Sequence, residues 1–186
     1  MAAAGGPDAR LPAWRRTAAR YMVPRIFASV WWYMRHGALV SRSSRVQLGG
    51  DITFGKGAVV KPYTIIQTSG GKVMFGHNCR ISSFNHIAAG NADVIVGNDV
   101  RTGSHVAIIG TTREYGQRDR LIHKQGYKDK GITIGSDVLI GAHSVLVDGC
   151  VIGKGAVIGV GSVVTGKVEP YAIIFGAPAK QIFARR

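Results

Sequence analysis

From Ile134 the chain reads "IGSDVL IGAHSV LVDGCV IGKGAV IGVGSV V": one aliphatic residue opens each group of six, and glycine usually follows. The fifth slot is small or medium, as in Val138, Ser144, Cys150, Ala156 and Ser162. A period of six matches neither the 3.6-residue turn of a helix nor the alternation of a flat strand. It fits a triangular coil with one short face per hexad, leaders stacked inward as ladders and glycine easing the corners. The beat runs backwards through Phe54, Val60, Ile66; Phe75, Ile81, Ile87; Val96, Thr102, Ile108; then Ile134, Ile140, Leu146; Ile152, Ile158, Val164. Of these leaders only Thr102 is polar. In the early coils the first leader recurs every 21 residues (Phe54, Phe75, Val96), which is 18 plus a three-residue extension after the third face. The polar stretch "TTREYGQRDRLIHKQGYKDKG", Thr111 to Gly131, leaves the coil at that same corner. It is expected to be a loop arm, at about 110–131, extruded from a rigid scaffold.

Residues 1–45 precede this beat and carry eight arginines and one acid, Asp8. Within them "IFASVWWYM" lies between Arg25 and Arg35 and is apolar almost all round as a helix. Two readings stand. The helix caps the open end of the first coil, or it is an interfacial segment that touches a membrane; separate faces can do both. Ile26 to Met34 is nine residues, against roughly 20 for a membrane span, and lacks the small-residue cleavage site of a secretory signal. The expected organisation is a basic N-terminal helical or capping segment, 1–45, and a coil domain, 46–186, with a short C-terminal tail.

The chain has 186 residues, 46% apolar and 18% charged, which fits one folded domain and excludes a disordered chain. The net charge of +14 favours anionic partners: a phosphorylated cofactor, nucleic acid or an anionic membrane. Nucleic acid is not expected, because the aromatics cluster at one place and do not interleave with basic residues. Cys79 and Cys150 both fall in fifth slots and read as buried thiols of a reducing compartment.

The hexads resemble those of the hexapeptide-repeat acyltransferases. The similarity covers about residues 46–182 and is strongest from Gly131 to Ile182. The ending "GSVVTGKVEPYAIIFGAPAKQI" resembles the closing segment of the sugar, maltose or galactoside O-acetyltransferase branch. "QGYKDKGITIG" resembles the arm's return in relatives that modify surface polysaccharides. The resemblance implies an all-β fold, a left-handed parallel β-helix; the handedness comes from the likeness and runs against the usual crossover preference. It implies a homotrimer with active sites in grooves between neighbours, and acetyl-CoA along the later coils as co-substrate. A sugar hydroxyl, of a bacterial surface polysaccharide or its lipid-linked precursor, would attack the thioester directly. A histidine on the arm would be the general base and backbone N–H groups would hold the oxyanion. Ala142, Val160 and Thr165 would line the pantetheine path, and Lys180 with Lys167 would face the CoA phosphates. The expected location is cytoplasmic, or peripheral on the inner face of the cytoplasmic membrane.

One departure matters. Relatives carry Asn-His early in the arm, where this chain has Thr112 and Arg113. Arginine stays charged and cannot take a proton. Either another residue is the base, or the chain is a catalytically degenerate trimeric binding protein. The candidate catalytic residues are His86, with Asn85 beside it in a fifth slot, and His123 on the arm. Asn85 also reads as an amide satisfying a corner carbonyl. Arg113, Tyr115 and His105 are candidates for acceptor binding. His105 and His143 share one slot on successive coils, so they should stack about 4.8 Å apart. A zinc site would need a third, convergent ligand, and no metal is expected.

Overall fold

The computed structural model describes residues 25–48 and 51–186. Three parallel sheets form the faces of a triangular coil stack. On the first face Phe54, Phe75, Val96, Ile134, Ile152 and Val168 lie in register. On the second, Val40, Val60 and Ile81 lead to Thr102, Ile140, Ile158 and Ile174. On the third, Val46, Ile66, Ile87, Ile108, Leu146 and Val164 align. Every leader named from the sequence is buried. Each large aliphatic side chain withdrawn this way contributes about 1.5–3 kcal/mol, so the ladders are the core. Fifth slots fill the remaining volume: Ala58, Cys79, Cys150 and Ala156 are fully buried. Two polar fifth slots bond to main chain: the Thr64 hydroxyl donates to the Ser82 carbonyl at 2.8 Å and Ser144 to Gly159 at 2.9 Å, whereas the buried Ser162 hydroxyl has no partner among the described residues. Burial pushes both thiols up, Cys150 to about 12.

The corner between second and third faces takes a left-handed residue on five successive coils. Tyr63, Phe84, His105 and His143 take it, with φ between 59° and 62°, and Gly161 takes it at 70°. Their rings form one stacked column, with centroids 5.0, 4.9 and 4.7 Å apart.

The coils begin before residue 46. Leu39–Val40 already pairs with Val59–Val60, and Arg45–Val46 with Ile65–Ile66. The polar run Ser41–Ser44 between them hides this first turn from a hydrophobicity count. Helix α1, Arg25–His36, lies over the open end. Trp32 is fully buried and sets its ring edge on Phe54 at 5.0 Å; Phe54 in turn stacks on Phe75. Gly37 ends the helix in the left-handed conformation, as glycine does without steric cost. The remainder of the basic segment, residues 1–24, lies outside the described residues. At the far end Ala172–Gly176 turns back antiparallel onto Ala179–Ala184, so the C-terminal tail is a hairpin strand. No helix among the described residues is long and apolar enough to cross a membrane.

Candidate active site

The arm leaves where the third-face strand Ala107–Gly110 ends. It is more ordered than a loop: Thr112–Arg113 pairs antiparallel with Tyr127–Lys128, and Ile122–Lys124 forms a 3-10 turn. Both roots are pinned to the coils. Asp129 Oδ2 accepts from Asn91 Nδ2 at 2.7 Å, and its carboxylate fills space that a side chain at Gly90 would need. The Thr111 hydroxyl, then the Asn91 amide, hold the Asp129 carboxyl below its usual range. On the return, Asp148 Oδ1 accepts from the Lys130 and Gly131 N–H groups, each at 2.8 Å. Gly131 is required there: its φ is +80°, and a Cβ would lie 2.5 Å from the Asp93 carbonyl oxygen.

Arg113 is the clasp inside the arm. Its guanidinium lies 4.3 Å from the centre of the Tyr127 ring and donates to the Tyr127 hydroxyl and, at 3.4 Å, to the His123 carbonyl. Gln125 organises the tip, donating to the carbonyls of Arg120 at 2.7 Å and Gln117 at 2.9 Å. The result is an open pocket of about 700 Å³ lined by Arg113, Tyr115, Arg118, Arg120, Leu121 and His123, among others. Three guanidinium groups and one imidazole on an exposed pocket can receive an anionic group and exchange a proton beside it.

The structure thus brings together Arg113, Tyr115 and His123. It sets His86 apart, exposed on the third face, with Nε2 3.4 Å from Gln67 Nε2. Asn85, a candidate for positioning the acceptor, faces the core. Asn85 is 1% exposed; its Nδ2 donates to Thr102 Oγ1 at 2.5 Å and its Oδ1 accepts from Val106 N–H at 2.7 Å. Thr102, the one polar leader, is therefore the partner of the one bulky amide, and both point inward. His105 stands in the stacked column on a different corner from the arm. The His105 and His143 planes are 5° from parallel, so their in-plane lone pairs do not converge on a common centre. Among the described residues no three metal-ligating side chains gather. Ala142 and Val160 follow the second-face ladder, Thr165 and Lys167 follow the third, and Lys180 stands on the terminal hairpin; Val160, Thr165, Lys167 and Lys180 are exposed. Lys167 pairs with Glu169 at 2.9 Å.

Sequence reasoning missed Arg118, Arg120, Gln125 and Asp129, because arm residues follow no period. It also missed that Tyr63 and Phe84 precede His105 at the same 21-residue spacing, a signal that was available.

A family model for the bacterial transferase hexapeptide (six repeats) matches residues 131–166. A chloramphenicol acetyltransferase of Agrobacterium fabrum is 37% identical over 106 residues, 56% of this chain and 51% of that protein. An acyl-[acyl-carrier-protein]–UDP-N-acetylglucosamine O-acyltransferase of Campylobacter concisus is 28% identical over 141 residues, 74% of this chain and 49% of that protein. The chain spans about half the length of these curated relatives, and less of others. Among solved structures, AntD, an N-acyltransferase from Bacillus cereus in complex with dTDP and 3-hydroxybutyryl-CoA, is similar with a TM-score of 0.73 and 21% identity, covering 81% of each chain. A maltose O-acetyltransferase from Clostridium difficile 630 is similar with a TM-score of 0.57 and 17% identity, covering 92% of this chain and 82% of that one. The coil geometry, the matched repeats and these likenesses agree: the chain holds a hexapeptide-repeat domain, folded as a left-handed parallel β-helix.

Proposed function

We propose that this protein is an acetyl-CoA-dependent O-acetyltransferase acting on a sugar hydroxyl of a surface polysaccharide or its lipid-linked precursor. The observation that carries this reading is the arm pocket, where His123 stands among three arginines on a β-helix like those of acyltransferases. The His123 imidazole takes the proton of the acceptor hydroxyl as its oxygen attacks the thioester carbonyl. The tetrahedral intermediate collapses, the C–S bond breaks, and the imidazolium returns the proton to the CoA thiolate. The arginines suit a phosphate-bearing acceptor, since a guanidinium fork matches phosphate oxygens. In a homotrimer the arm would reach the neighbour's later coils, where half-buried Ala142 and exposed Val160, Thr165, Lys167 and Lys180 offer a path for pantetheine and phosphates.

His86 is the second candidate base, favoured by its exposure on the third face, the face from which the arm departs. The rival reading is a binding protein without turnover; the clasped position of Arg113 favours it, because a charged guanidinium fills the place relatives give to the base. Thiol release from acetyl-CoA with a panel of sugar, sugar-nucleotide and chloramphenicol acceptors distinguishes these. Turnover by the wild type that survives His86→Ala and fails in His123→Ala supports the proposal. A silent wild type whose Arg113→His variant acetylates acceptor supports the binding protein.

A further inference from the structure

Among the described side chains of helix α1, Trp32 is the large one that is fully buried, and those on the opposite face are exposed. At about 100° per residue, Phe27, Val30 and Met34 fall within about 60° of one another, opposite Trp32. They are 64%, 51% and 80% exposed. Trp31 and Tyr33, also exposed, flank this stripe on either side. Because Trp32 faces the end of the coil stack through Phe54, the stripe looks away from it. The surrounding charge is mostly positive, with half-buried Asp51 as its described acid. Exposed Arg35, Arg42, Lys56 and Lys61 stand at this end of the stack, and α1 itself has no acidic residue. The chain ahead of the helix adds Arg10, Arg15, Arg16 and Arg20 against Asp8.

We infer that this end of the β-helix docks on an anionic lipid bilayer, with α1 lying in the interface. An apolar stripe with aromatic flanks suits the boundary between headgroups and acyl chains, and the basic rim suits anionic headgroups. A soluble protein partner would also accept an apolar stripe, but four exposed basic side chains against the single acid Asp51 favour a surface of uniform negative charge. The docking is end-on, so the coil axis stands away from the membrane. The arm leaves from the fourth rung of the third face, three rises above Val46. At about 4.8 Å per rise plus the helix itself, its pocket sits roughly 20 Å above the surface. That height fits an acceptor saccharide standing on a lipid carrier. This last step rests on the acetyl-transfer reading; the bilayer contact does not.

The test uses the full chain with vesicles of phosphatidylcholine alone or mixed with phosphatidylglycerol. Co-sedimentation is expected with the anionic vesicles only, weakened by added salt and accompanied by a blue shift of tryptophan emission. Combining Phe27→Ser, Val30→Ser and Met34→Ser should lower partitioning at least about tenfold while leaving the melting temperature unchanged, because all three are exposed. Absence of wild-type binding to anionic vesicles overturns the inference, and so does equal binding by the triple variant. A triple variant that changes oligomeric mass in solution and still binds vesicles assigns the face to a second copy, which also overturns it. Acetyl transfer to soluble acceptors reads out separately, so either claim can fail alone.

Discussion

Asn85 and Thr102 show how one polar pair is accommodated in a stacked aliphatic core. Each would be costly alone, and together with the Ser82 and Val106 N–H groups they are satisfied. Asn85→Ala should therefore destabilise by about 1–3 kcal/mol, read as a lower melting temperature, with the turnover per folded molecule unchanged. A loss of turnover without loss of stability would return Asn85 to the site. Ile108 sits in mid-ladder, fully surrounded; Ile108→Ala should cost about 2–5 kcal/mol by denaturant unfolding. The ladders were legible because a leader every six residues is a constraint each coil repeats. Asn85's inward direction was half legible: its fifth slot marked it as buried, but its partner Thr102 read only as an exception to the beat.

The arm and the end helix are elements whose sequences carry no repeat, and they were legible to different degrees. The arm's place followed from the interrupted beat. Its internal ladder did not, since Thr112–Arg113 and Tyr127–Lys128 are two-residue strands held by the Arg113 clasp and not by burial. Arg113→Lys keeps the charge and loses the planar fork over Tyr127, so amide exchange across the arm should quicken while the coils stay protected. The Asp129 pin has a pH signature. A carboxyl held below its usual range stabilises the charged, pinned state at neutral pH, and that contribution is lost as pH falls through the lowered value. Hydrogen exchange at the arm's root should rise on acidification in the wild type. Asp129→Asn should exchange faster at neutral pH and lose the dependence. At the other element, Trp32→Ala uncovers Phe54 and should cost about 3–5 kcal/mol. The cluster of Trp31, Trp32 and Tyr33 left a capping helix and an interfacial one both open, and did not say which ring would turn inward.

At the scale of the molecule, a rigid prism carries a pinned arm on one corner and an apolar, basic helix at one end. The scaffold keeps the arm at a fixed height, the arm gathers charge that the flat faces cannot, and the exposed later coils leave room for a long thioester. The claim that joins these is that His123 in the arm pocket is the base for acetyl transfer. It is tested most directly by the kcat of purified wild type and His123→Ala with acetyl-CoA and a phosphate-bearing sugar acceptor. The account predicts wild-type turnover and a fall of about 10²–10⁴-fold in His123→Ala with KM little changed. Wild-type turnover that His123→Ala retains in full would contradict it.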